Sequence, residues 1–136
     1  MATTDAAHAF PSLGAKRAGL AAAAALIALG YRVKDINALY REHVPRITKP
    51  KKRVQKSKAL EELANEVFGD KKFDAVKTGV GIVTTKWMIE RPMIFKGSVA
   101  QAHGRKSTFA PGFGCTISDA VQASCSAYPF FDIKTV

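Results

Sequence analysis

From Ala18 to Leu29 the chain runs through twelve uncharged residues, mostly alanine. Alanine and leucine are the strongest helix formers, so this stretch predicts a helix over about 17–29. Gly30 follows as a natural C-terminal stop. The helix has almost no polar face and small side chains, so it is expected to pack closely on several sides. Next, Ile36, Leu39, Tyr40 and His43 recur at helical spacing and predict a second helix from about Lys34 to His43, ended by Pro45. His43 then falls near a helix C-terminus, where it suits the helix dipole. Leu60, Leu63, Ala64, Val67 and Phe68 sit at offsets 0, 3, 4, 7 and 8, one apolar stripe of a helix over Ala59–Phe68 that Gly69 closes.

The period then changes. Val80, Ile82, Val83, Thr84 and Thr85 include a β-branched run that predicts a buried strand. Gly79-Val80-Gly81 is too short for a dinucleotide fingerprint and reads as close backbone approach at the strand start. Met93, Ile94 and Phe95 predict a second strand with Arg91-Pro92 at its entrance. Gly97, Gly104, Pro111, Gly112 and Gly114 make 97–116 mostly loop. Thr116 and Asp119 form a capping-box pattern, with Ser118 as a rival cap, for a short helix over about Ser118–Ser126. Pro129 stops it, and Phe130-Phe131 begins another extended piece. Residues 1–12 carry no periodicity and read as a loose tail. Helices, then strands, then a helix again indicate an α/β layered fold.

Charge refines this picture at one place. The formal charge is +10, but seven positive residues (Arg46, Lys49, Lys51, Lys52, Arg53, Lys56 and Lys58) fall in 46–58 without an acidic one, leaving +3 for the rest. The chain is thus a nearly neutral domain over 13–136 with a basic insert at 46–58. Three readings of that run are ordered: a solvated flexible insert, then attraction to anionic lipid, then nucleic acid. Nucleic acid comes last because no aromatic residue interleaves with the charges to stack on bases. No segment reaches the roughly 20 apolar residues of a membrane span. A signal peptide with Ala18–Leu29 as its apolar stretch behind Lys16-Arg17 is disfavoured, since its N-terminal region would be unusually long and no A-x-A site follows. Cys115 and Cys125 make neither a zinc set nor a disulfide framework, so a reducing, cytoplasmic setting is expected, with peripheral membrane contact as a further option.

Two stretches carry a family likeness. Pro111-Gly112-Phe113-Gly114 leads into Ala120, Ala123, Ser124, Ala127, Pro129 and Phe131, close to a pattern A-x-x-A-S/T-x-A-A-P-x-x-F in which Tyr128 stands before the proline. The strand ending in Arg91-Pro92, followed by Met93-Ile94-Phe95, is similar to that family's central strand and its continuation. Upstream, Ala23 to Tyr40 is similar to the family's helix and its ALGY-x-x-x-E-I-x-x-L-Y continuation, with Asp35 in the acidic slot. The chain in this way resembles the patatin-like phospholipases. That resemblance implies a partial three-layer α/β/α sandwich. It also implies a serine acyl hydrolase acting on lipid esters through a Ser-Asp dyad, with Ser in G-x-S-x-G at a strand-to-helix turn and Asp in D-G-G or D-G-A. A D-G-G-G stretch would supply oxyanion donors. A phospholipid or membrane surface is the partner it implies.

The catalytic parts of that pattern are missing. The seven serines are Ser12, Ser57, Ser98, Ser107, Ser118, Ser124 and Ser126, and none has glycine two positions away on both sides. The slot before the alanine helix reads Gly14-Ala15-Lys16-Arg17-Ala18-Gly19, and neither Lys16 nor Arg17 can perform serine acyl transfer. No Asp precedes a Gly, and D-G-G-G is absent. The site assignment is therefore none: no catalytic residue, no cofactor ligand, no metal ligand. The expectation is a truncated or degenerate patatin-like chain, inactive by itself, with a non-enzymatic binder of anionic lipid as the alternative. Open sheet edges and a partly uncovered alanine helix are expected, completed by a second copy or by the remainder of the domain. Ser124 and Cys125 read as close-packing positions rather than nucleophiles, since no base stands near them in the sequence. His103 within Ala102-His103-Gly104-Arg105-Lys106 reads as a solvated loop residue ahead of a phosphate ligand, and His8 lies in the tail.

Overall fold

The computed structural model describes residues 20–89, 91–97, 115–127 and 129–136. The expectations for the tail at 1–12, His8, Lys16, Arg17, His103, most of the 97–116 loop and Tyr128 lie outside those residues. The described elements are helix α1 (20–28), α2 (Val33–Thr48), α3 (Arg53–Phe68), strands β1 (Gly81–Lys86) and β2 (Arg91–Lys96), and α4 (Ile117–Cys125). They make a mixed α/β arrangement with one two-stranded antiparallel sheet.

The core is where the periodicity placed it. Leu60, Ala64 and Phe68 of α3 are buried, with Leu63 and Val67 partly so. They join Ala25 and Leu26 of α1, Ile36 of α2, Ile82 and Phe95 of the hairpin, and Ile117, Ala120, Val121 and Cys125 of α4 in one cluster. Each fully buried Leu, Ile, Val or Phe there contributes about 1.5–3 kcal/mol. Helix α4 packs against both α3 and β1. It can occupy that middle position because Ser118, Ala120, Ala123 and Ser124 are small. Its start follows the capping-box expectation: Thr116 Oγ1 accepts from the Asp119 backbone N–H at 3.0 Å and donates to Asp119 Oδ2 at 2.9 Å. Ser118, the rival cap, is instead buried and bonded elsewhere.

Helix α1 ends at Gly30, which takes φ +92°, a conformation that favours glycine. The Ala28 carbonyl then accepts from the Lys77 N–H at 2.7 Å, tying α1 to the segment leading into β1. The helix remains partly uncovered, with Leu20 and Ile27 exposed.

Five expectations are corrected. Pro45 does not end α2, which continues to Thr48. The proline withholds an N–H from the Arg41 carbonyl, but Arg41 is exposed to water, while Ile47 packs on the core and Arg46 reaches Glu66 of α3 at 3.0 Å. His43 is consequently a mid-helix residue and is 6% exposed, not a C-terminal dipole partner. The basic run is not a loose insert: it ends α2, turns at 49–52 and begins α3. Strand β1 is buried on one face only, since Ile82 is buried and Val83 exposed. Phe130 and Phe131 do not start an extended piece, because both backbone N–H groups turn back to the Ala127 carbonyl.

Candidate functional site

The four helices and the turn after α4 enclose a cavity of about 180 Å³. Leu26 of α1, Leu39 and Tyr40 of α2, Leu60 and Phe68 of α3, Cys125 of α4 and Phe131 of the turn are among its walls. Exposed Thr48 and half-buried Lys56 mark its open side. An apolar cavity of roughly 150 Å³ is enough to hold a benzene-sized molecule without water. The walls of this half-open space are predominantly apolar.

Its polar atoms make packing contacts. Arg46 Nη1 lies 3.2 Å from His43 Nδ1. Burial pushes the Cys125 thiol up to about 12, the reverse of a nucleophile's shift. Burial, with a smaller contribution from Cys125, raises Tyr40, partly offset by a backbone hydrogen bond at Ala23. Cys115 is raised to about 11, first by burial and then by the Asp119 charge. Ser124 Oγ donates to the Val83 carbonyl at 2.7 Å, so it fastens α4 to β1. Both residues read as packing positions in the sequence are used that way. Among the described residues no three His, Cys, Asp or Glu side chains come together as a metal site.

One buried polar chain escaped sequence reasoning. Ser118 Oγ donates to Asn65 Oδ1 at 2.7 Å and accepts from Gln122 Nε2 at 3.0 Å. Ser118 and Gln122 stand four apart on α4, a spacing the sequence shows, but the partner on α3 lies 53 residues away. Asp119 is a second anchor. Burial alone would raise its carboxyl, but hydrogen bonds from Thr116 and Lys134, with the Lys134 charge, outweigh that and hold it below its ordinary value.

The basic run gives the other candidate surface. Arg46 pairs with Glu66, Arg53 with Asp132 at 2.7 Å, and Lys58 more loosely with Glu62 at 3.8 Å. Lys49, Lys51 and Lys52 are exposed where α2 meets α3. The first turn of α3 holds no acidic residue, and its N-cap Lys52 makes no side-chain cap. The positive end of that helix dipole thus adds to the lysine charges. A cationic corner of this kind favours an anionic partner. Among the described residues, no helix is long and apolar enough to cross a membrane.

A cUMP-AMP-activated phospholipase from Escherichia coli is 64% identical over 113 residues, covering 83% of this chain and 35% of that protein. The chain spans about a third of the length of that curated relative. No family model matches the chain. No solved structure matches it. The relationship to a phospholipase agrees with the family likeness of Ala23–Tyr40, Arg91–Phe95 and Pro111–Phe131.

Proposed function

We propose that this chain is a phospholipase-related, patatin-like segment that cleaves no acyl ester by itself and associates with anionic phospholipid surfaces. The observation that carries the reading is the 64% identity to a phospholipase over most of the chain. That similarity sits beside a sequence in which no serine has the G-x-S-x-G setting and no Asp precedes Gly. Acyl transfer needs a nucleophile, a base and oxyanion donors together, and a scaffold without them retains binding alone. In this reading the described helices and hairpin form part of a three-layer α/β/α sandwich. The hairpin's two open edges are where further strands of that sheet pair. The setting is cytoplasmic and peripheral to a membrane.

The exposed lysines of the α2–α3 corner support the lipid part. Each contributes about 1 kcal/mol near an anionic lipid surface. Hydrolysis of a short-chain nitrophenyl ester, with and without cUMP-AMP, tests the catalytic part. The expected rate equals that of buffer, and turnover that disappears on replacing one serine would overturn it. Sedimentation with phosphatidylserine-containing and pure phosphatidylcholine vesicles tests the binding part. Association is expected only with the former, weakening with salt; association indifferent to lipid charge and salt would overturn it.

A further inference from the structure

The β1–β2 hairpin ends in Trp87-Met88-Ile89, a single 3-10 turn whose side chains are 53, 90 and 55% exposed. Three consecutive large apolar residues at the end of a hairpin are an unusual thing to hold in water. The inner face of the hairpin is formed by the buried Ile82 and Phe95.

We infer that this tip is a membrane-contact element that inserts shallowly into the interface of a phospholipid bilayer. The inference rests on the lipid reading above and names the atoms that touch the lipid. Four observations favour a bilayer. Tryptophan prefers the headgroup boundary, where its ring is sheltered and its N–H is hydrated. Next, Lys86 is exposed at the base of the turn and sets a cationic residue beside the apolar tip. In the sequence, Lys86, Glu90 and Arg91 give 86–91 a net charge of +1. Third, the hairpin is already fastened, by Thr84 Oγ1 to the Ala123 carbonyl at 3.1 Å and by Ser124 Oγ to the Val83 carbonyl. Little further ordering is then needed when the tip meets lipid. Last, the three side chains present on the order of 400 Å², about half of what each partner in a stable protein complex buries.

Trp87 is the chain's one tryptophan, so its emission reports on the tip directly. The test adds vesicles of phosphatidylcholine and phosphatidylserine in equal parts to the whole chain. It reads Trp87 emission, quenching by lipid brominated near the carbonyl end of the acyl chain, and sedimentation. A blue shift with quenching is expected. Met88→Asp and Ile89→Asp should each reduce the bound fraction by about tenfold. These positions are exposed, so the variants should melt like the parent. Sedimentation without an emission shift would overturn this inference while leaving lipid association through the lysine corner intact. No sedimentation would overturn both. A blue shift that grows with chain concentration in the absence of lipid would overturn it in favour of a second copy covering the tip.

Discussion

Replacing Ser118 by Ala isolates the buried chain that joins α4 to α3. Ser118 is 1% exposed and Gln122 is 3% exposed. In the parent, the Gln122 amide donates to Ser118 Oγ at 3.0 Å, and Ser118 donates to Asn65 at 2.7 Å. The alanine removes both bonds, but the two ends do not suffer equally. Asn65 lies on an exposed part of α3 and exchanges its lost partner for water. Gln122 cannot do so, and a buried donor left unmade costs about 1–3 kcal/mol. Ser118→Ala should therefore lower stability by about 2 kcal/mol, a large share of the roughly 5–15 kcal/mol typical of a folded domain. Gln122→Leu removes the needy group itself while nearly keeping its volume, and should cost less than the serine change. The double variant should be more stable than the sum of the two singles implies, by about 1 kcal/mol or more, because the serine change then strands nothing. Urea unfolding at equilibrium measures all three. A neutral Ser118→Ala, or strictly additive singles, would refute the claim that Gln122 depends on Ser118.

Thr116→Ala should cost about 1 kcal/mol in the same assay by uncapping α4. Asp119 is held below its ordinary value, so its stabilisation is present above the normal carboxylate range and is lost as pH falls through the folded-state value. Asp119→Asn should accordingly destabilise at neutral pH and converge with the parent in strong acid. Phe68→Ala empties the cavity wall and should cost about 3–5 kcal/mol, and a loss under 1 kcal/mol would place Phe68 outside the core. Iodoacetamide should label Cys115 before Cys125 as pH rises past 9, since Cys115 is only partly buried and its thiol ionises near 11 rather than 12; rapid labelling of Cys125 at neutral pH would contradict its burial. The raised thiols also predict falling stability as pH climbs from the ordinary thiol value of 9.0 toward those folded values.

Local rules carried much of the architecture. The stripe Leu60-Leu63-Ala64-Val67-Phe68 and the glycines at 30 and 69 were legible because a helix face and its stop are set within a few residues. The start of α3 was not, because its first turn is held from far away: Arg53 pairs with Asp132, and the Asp132 N–H donates to Ser57 Oγ across 75 residues. Pro45 misled for the same reason, since the packing of Ile47 and the Arg46–Glu66 pair outweigh one missing helix bond. A run of β-branched residues cannot reveal whether one face or two will be covered, so Val83 passed for a buried residue. The cavity draws its walls from four helices and a turn, and no sequence pattern announces such a convergence. The family's catalytic motifs, by contrast, are short and local, so that G-x-S-x-G and D-G-G do not occur is readable directly from the sequence.

The central claim is that a phospholipase-related scaffold is present here without an activated serine. Treating the whole chain with a fluorophosphonate and measuring its intact mass tests this directly, because such reagents modify only serines made nucleophilic by their surroundings. The account predicts an unchanged mass with cUMP-AMP present or absent. A single adduct on one of the seven serines, accompanied by ester turnover, would contradict it.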